Sequence, residues 1–221
     1  MPELTLFNCI DAVEGNGAFL FSDTEKLFAN SFLVLMKDTP YTKIAVKEIT
    51  GLSGKSRTMF YQHFSDTLDL MDRIQRLLLE KLHLYVVPEG ATREENVTRA
   101  YEGMVAWFKK VLALRPVLRI VIGENGSSYF KDRLASQIRQ ELNRMMDDDR
   151  APNDRMRPYY VYSSAASYIG LLTYLATTED DTELLDINEM VKIANSLRVS
   201  YYLSDKNAPK IDSLQLFGYS E

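Results

Sequence analysis

Arg57, Thr58 and Tyr61 sit close together, with Lys47, Lys55 and Ser56 before them and His63 just after. The chemistry these side chains offer is recognition rather than bond making. An arginine fork bonds guanine O6 and N7 together, and a threonine meets a base edge or a thymine methyl group. Tyr61 follows Arg57 and Thr58 by about one helical turn, so it shares their face and suits a base or a phosphate. Lys47, Lys55 and Thr42 suit phosphate oxygens, which position a protein on a duplex without reading its sequence. Ser56 falls at the same surface, and His63 suits either a phosphate or the end of a helix.

Other chemistry finds little support. Cys9 is the sole cysteine, and His63 and His83 are the sole histidines, distant in sequence. Neither a thiolate zinc site nor a histidine cluster is expected, and no cofactor is implied. Cys9 also spares the chain any internal disulfide, which suits a reducing, cytoplasmic setting. The acidic pairs Glu94-Glu95 and Asp147-Asp148-Asp149 have no visible partner for acid–base work and read as solvated faces. An enzyme is not expected.

The elements that must hold the recognition residues are short helices. Ser22 and Glu25 form an S-x-x-E capping box, followed by Leu27, Phe28, Ser31, Phe32, Leu35 and Met36 on one face. Pro40 stops that helix. A short helix is expected from Val46 to Gly51, a turn at Leu52-Ser53-Gly54-Lys55 with Gly54 free to take a positive φ, and a second short helix from Ser56 to Gln62. Ile44, Val46, Ile49, Leu52, Met59, Phe60 and Phe64 can pin the two together, which makes the pair a helix-turn-helix. In that motif the second helix enters the major groove. Ser65 is the expected N-cap of a longer helix with an apolar stripe of Leu70, Ile74, Leu77, Leu78 and Tyr85, closed by Pro88, Glu89 and Gly90.

The stretch YTKIAVKEITGLSGKSRTMFYQHFSDTLDL, Tyr41 to Leu70, resembles the DNA-binding region of the TetR/AcrR family of transcriptional regulators. The likeness lies in V-K-E-I, in the S-G-K-S turn and in S-R-T-M-F-Y-Q-H-F, and it extends from Asp23 to about Met71. Arg115-Pro116 and GENGSSYFKDRL (Gly123 to Leu134) resemble the ligand-domain helices of some members. The resemblance implies a homodimer acting as a repressor on double-stranded operator DNA, released by a small apolar or amphipathic effector. An adaptor of the same fold that no longer binds DNA is the alternative. Two positions depart from the family pattern. Ala45 stands where a Ser or Thr cap is usual, a loss of about 1 kcal/mol unless Thr42 substitutes. Thr67 stands where many members have lysine.

Net charge is −5, but residues 41–64 carry +3 from Lys43, Lys47, Lys55 and Arg57 against Glu48, leaving −8 elsewhere. A basic patch on an acidic body suits a compact DNA reader. Sparse glycine and proline favour long helices over many short strands. The expected fold is all-α: an arm at 1–22, a three-helix helix-turn-helix DNA-binding domain at 23–70, a helical ligand-binding and dimerisation bundle at 71–204, and a tail at 205–221. Within the bundle, Val97, Tyr101, Met104, Val105, Phe108 and Leu112 make one stripe, and a helix restarts at Arg115-Pro116. Glu124-Asn125-Gly126 is a turn, Tyr129 to Met146 is helical, and Asp147 to Asn153 is a polar loop.

Arg157-Pro158 opens a helix uncharged from Tyr159 to Thr178. Its tyrosines, serines and threonines make it a bundle helix rather than a membrane span. A final amphipathic helix carries Leu184, Ile187, Val191, Ala194, Leu197 and Tyr201. Candidate effector-cavity residues are Met104, Trp107, Phe108, Tyr129, Phe130 and Tyr162. The expected dimer surface is the uncharged helix, with Ser163, Ser164, Ala165, Ala166, Ser167 and Gly170 allowing close approach, together with the final helix.

Overall fold

The computed structural model describes residues 5–15, 17, 19–84, 93–148, 151–179 and 184–194, with the side chains of 93–100 and 148 outside that description. The described residues are all helical or loop, with no strand. Helix α1 is Thr5–Asp11, α2 Asp23–Leu35, α3 Val46–Ser53, α4 Arg57–His63, α5 Thr67–Lys81, α6 Arg93–Ile122, α7 Ser128–Asp148 and α8 Arg157–Thr177. A 3-10 turn, Tyr41–Lys43, precedes α3, and residues 187–194 are helical. Tyr85, Pro88 to Gly90, Val97, Leu197, Tyr201 and the tail from 205 lie outside the described residues or side chains. None of the described helices is long and apolar enough to cross a membrane.

The chain forms two compact units. The first joins Met1–His83 with Lys110–Leu134 and Leu175–Thr177. Its core is aromatic. Phe28, Phe32, Phe60 and Phe64 are buried, with Phe28 edge-on to Phe60 at 5.3 Å and to Phe64 at 6.3 Å. Each such pair adds about 0.5–1.5 kcal/mol beyond area burial. The stretch expected as an arm belongs to this core, since Phe7, Ile10, Val13 and Phe21 are buried. Asn30 of α2 explains how so short a helix as α1 begins. Its Oδ1 accepts from the backbone N–H groups of Leu6 and Phe7 at 3.1 and 3.2 Å, satisfying two first-turn donors that have no partner within a helix. Glu80 of α5 ties down the following loop, accepting from Gly17 N and Phe19 N.

The capping box of α2 is complete: Ser22 Oγ accepts from Glu25 N, and Glu25 Oε2 accepts from Ser22 N at 2.7 Å. At α5 the cap is Asp66, one residue later than expected. Asp66 Oδ1 accepts from Asp69 N, while Asp69 Oδ2 reaches back to Ser65 N. Two carboxylates at the positive end of the helix hold these donors, whereas a cap at Ser65 would use one hydroxyl.

The restart at Arg115-Pro116 does not occur; α6 runs through Pro116 for 30 residues. Proline removes one rung, the bond to the Leu112 carbonyl. Its neighbours serve α8 instead. Arg115 Nε donates to Leu175 O at 2.7 Å and Arg119 Nη2 to Thr177 O at 3.1 Å, filling carbonyls that the last turn of α8 leaves open. The Glu124–Gly126 turn stands as expected, and the helix expected over Tyr129 to Met146 runs Ser128–Asp148, taking in the first two residues of the expected polar loop.

The second unit comprises Leu84–Lys109, Ala135–Tyr174 and Thr178–Glu221. Trp107 is buried edge-on to Phe108 and Tyr168, at 5.2 and 5.3 Å. Arg157, 4% exposed, pins the start of α8 to the end of α7 through Asn143 and through Asp147 Oδ1 at 2.7 Å.

Candidate nucleic-acid interface

The candidate recognition residues are positioned by α3, the connection Gly54–Ser56 and α4. Ala45 offers no side-chain acceptor to the first turn of α3, and no other cap replaces it. Glu48 recovers the reciprocal half, its Oε2 accepting from Ala45 N at 2.7 Å. Helix α3 runs two residues past the expected end, to Ser53, because Ser53 is buried and bonds back to Thr50 O. Gly54 then takes φ +68°, the left-handed region, which lets Lys55 N also reach Thr50 O. Ser56 caps α4, its Oγ accepting from Met59 N at 3.1 Å.

This arrangement fixes which side of α4 faces out. Phe60 is fully buried and Met59 half-buried, while Arg57, Thr58, Tyr61 and Gln62 are exposed. Thr42, Lys47 and Ser56 are exposed and Lys55 is half-exposed. Two residues join the surface that the sequence reading passed over. Lys43 is exposed in the 3-10 turn, and Gln62 sits one turn after Thr58. In the sequence Lys43 shows only as part of the segment's charge, whereas the one-turn spacing of Gln62 from Thr58 marks their shared face.

Among the described residues, Lys43, Lys47, Lys55 and Arg57 make no ion pair. Elsewhere some cations are matched, Lys26 with Asp11, Arg76 and Arg133 with Asp72, and Arg157 with Asp147, while others such as Lys131 and Arg144 make no ion pair among the described residues. Arg57 on the exposed Arg-Thr-Tyr face, with three unpaired lysines in the 3-10 turn, α3 and the connection before α4, can accept phosphates without first breaking an internal pair.

His63 ends α4 and turns inward. Its Nδ1 lies 3.6 Å from Glu25 Oε1, the oxygen that Arg73 Nη1 holds at 2.7 Å. Arg73 also donates to the His63 carbonyl at 3.2 Å and lies over the rings of Phe21 and Phe64. Burial pushes the Glu25 carboxyl up. The Ser22 backbone N–H, the Ser22 hydroxyl and the Arg73 guanidinium outweigh it, and the group is held below its ordinary value. This cluster braces α2, α4 and α5 behind the exposed face, and nothing in a local sequence window announces it.

The effector candidates fare unevenly. Met104, Trp107 and Phe108 are buried in the second unit, and Phe130 is in the core of the first. Tyr129 and Tyr162 are not interior; they are 65% and 63% exposed, Tyr162 with Arg139 over its ring. Each flanks a buried residue, Phe130 and Val161, and one step along a helix rotates a side chain by about 100°. The second unit does hold a cavity, of about 10 Å³, lined by Leu142, Tyr160, Ser164, Ser167, Tyr168, Leu171 and Ala194. That is room for about one water, far below a drug-sized pocket. On α8, Ser164 and Ala165 are buried, whereas Tyr159, Tyr162, Ser163, Ala166, Gly170 and Tyr174 line an uncharged outer face. Among the described residues no group of histidine, cysteine and carboxylate side chains could hold a metal.

No family model matches the sequence, and no curated protein does. The chain is similar in structure to a dihydroxyacetone kinase operon activator, DhaS, with a TM-score of 0.56 at 14% identity, over 82% of this chain and 97% of that one. At that identity the likeness is one of fold, and it makes this chain a helical protein with the architecture of that regulator.

Proposed function

We propose that this chain is a homodimeric transcriptional regulator of the TetR/AcrR type that reads a near-palindromic operator, with α4 in the major groove and α3 across the backbone. The observation that carries the reading is the exposed Arg57–Thr58–Tyr61 face at the start of α4, in a segment whose cations have no internal partners among the described residues. The fold likeness to an operon activator supports it. Repression follows where the operator overlaps a promoter, and activation where it lies upstream. The dimer forms through the uncharged outer face of α8 with the helix at 187–194, which a monomer would leave bare. A small apolar or amphipathic effector acts by binding the DNA-free arrangement more tightly, and Trp107 fluorescence reports its arrival. The work is cytoplasmic.

The test is selection from random duplexes, followed by titration of wild type, Arg57→Ala and Lys47→Ala at several salt concentrations. Arg57→Ala should cost about 1–3 kcal/mol per half-site and relax preference at one base position. Lys47→Ala should weaken all sequences alike and lower the salt slope by about one per lost phosphate contact. A wild type that prefers no duplex replaces this reading with that of a helical adaptor.

A further inference from the structure

We propose that the turn between α6 and α7 is a clasp that sets the orientation of the helix-turn-helix, with Asn125 as its positioning residue. The proposal rests on the DNA-binding reading above. The corner between α2 and the 3-10 turn satisfies most of its own backbone groups: Lys37 N bonds Val34 O, and Asp38 N and Thr39 N bond Leu35 O. Two groups are taken up from outside it. Asn125 Nδ2 donates to Lys37 O at 3.1 Å, and Asn125 O accepts from Tyr41 N at 2.9 Å. One residue thus grips both sides of the corner from which α3 and α4 depart.

The turn that presents Asn125 is itself held. Gly126 N bonds Gly123 O and Ser127 N bonds Val121 O at 2.8 Å, folding the chain back on the end of α6. Residue 126 must be glycine there, because a Cβ would stand 2.1 Å from Val121 O. A second attachment follows within the same unit. Arg133 Nη1 of α7 donates to Asp72 Oδ1 at 2.7 Å and to Gln75 Oε1 at 2.9 Å on α5, and Gln75 is buried. Attached at the corner before α3 and at the helix after α4, residues 123–133 bracket the reader without contributing to its outward face. A bracket fixes angle rather than contacts. Its loss should therefore show as tolerance of wrong half-site spacing, which neither a lost base contact nor a general loss of stability produces.

The test uses the full chain with the duplex selected by wild type, beside duplexes carrying one base pair more or fewer at the centre. Asn125→Asp removes the donor and puts an acceptor against the Lys37 carbonyl. Asn125→Ser removes the reach without adding charge and serves where the aspartate variant does not fold. Either should weaken the selected duplex by about 5-fold per half-site, the scale of one neutral hydrogen bond, while the altered spacings weaken less. Hydrogen exchange in the DNA-free protein gives a second readout: the Tyr41 amide should exchange several-fold faster in the variant, and the Lys55 amide should not. A wild type that selects no duplex overturns the DNA reading and the clasp with it. A wild type that selects one, with variants that keep its full spacing preference or its Tyr41 protection, overturns the clasp alone.

Discussion

Replacing Arg73 by methionine isolates the charge that braces α2, α4 and α5. Methionine keeps most of the apolar stem and removes three things: the 2.7 Å pair with Glu25, the bond to the His63 carbonyl and the cation over the Phe21 and Phe64 rings. Glu25 is only 11% exposed in its side chain, so it is left as a mostly buried carboxylate, whereas Arg73 is 29% exposed and partly screened. A fully buried broken pair costs about 3–5 kcal/mol. Screening at Arg73 and the surviving Ser22 bonds bring this to about 2 kcal/mol, and the ring contacts add about 0.5–1 each, in part returned by the thioether. A total near 2–3 kcal/mol lowers Tm by about 5–10 °C in a chain of this size.

The pH dependence sharpens the test. Glu25 is depressed in the folded protein, so its contribution is present above the unfolded carboxylate value of about 4 and is lost as pH falls through the lower folded value. Without Arg73 the burial that raises the group weighs more. The gap between wild type and Arg73→Met should be full near neutrality and should narrow in acid. Thermal unfolding followed by circular dichroism between pH 7 and 3 measures both. A Tm within about 1–2 °C of wild type at pH 7, or a gap of the same size at every pH, refutes the reasoning.

Three further outcomes are expected. Ala45→Ser completes the half-formed box with Glu48 and should stabilise by about 1 kcal/mol in chemical denaturation. Gly54→Ala, at φ +68°, should destabilise by about 1–2 kcal/mol, while Gly51→Ala, inside α3 with open space around it, should stabilise by about 0.5–1; equal effects would contradict the turn geometry. Ala166→Arg places a charge on the outer face of α8 and should turn the proposed dimer into a helical monomer in sedimentation at micromolar concentration; a variant that sediments as wild type does contradicts that interface.

The legible parts of the fold were those written in local chemistry. Ser22 and Glu25 are three residues apart, Gly54 and Ser56 bracket a three-residue connection, and Phe60 and Phe64 share a face; each acts within one turn of helix. The same reasoning failed where the partner is remote. Two first-turn donors of α1 are taken by Asn30, 23 and 24 residues distant, and the loop after it is held by Glu80, 61 and 63 residues distant. Pro116 looked like a start because a proline N–H is dispensable there; within α6 its one missing bond is tolerated across a 30-residue helix. Tyr129 and Tyr162 were placed inside by type, although each lies one residue from the truly buried position.

The candidate site shows the same division at a finer level. A sum of charges over 41–64 locates a basic segment but treats every cation alike. What makes a cation available to a phosphate is the absence of a carboxylate already holding it, and that is a three-dimensional property. Arg73 lies ten residues past His63 and counts as one more cation in any sum of charges, yet it is held by Glu25 and lies over the rings of Phe21 and Phe64. Lys43, Lys47, Lys55 and Arg57 have no such partner among the described residues. Their Coulomb energy is unspent in the free protein and becomes favourable only against an added anion, with a strength that salt should erode. The candidate surface is therefore marked by two things together, an exposed Arg57–Thr58–Tyr61 face and a surrounding segment whose cations no carboxylate answers among the described residues, rather than by positive charge alone.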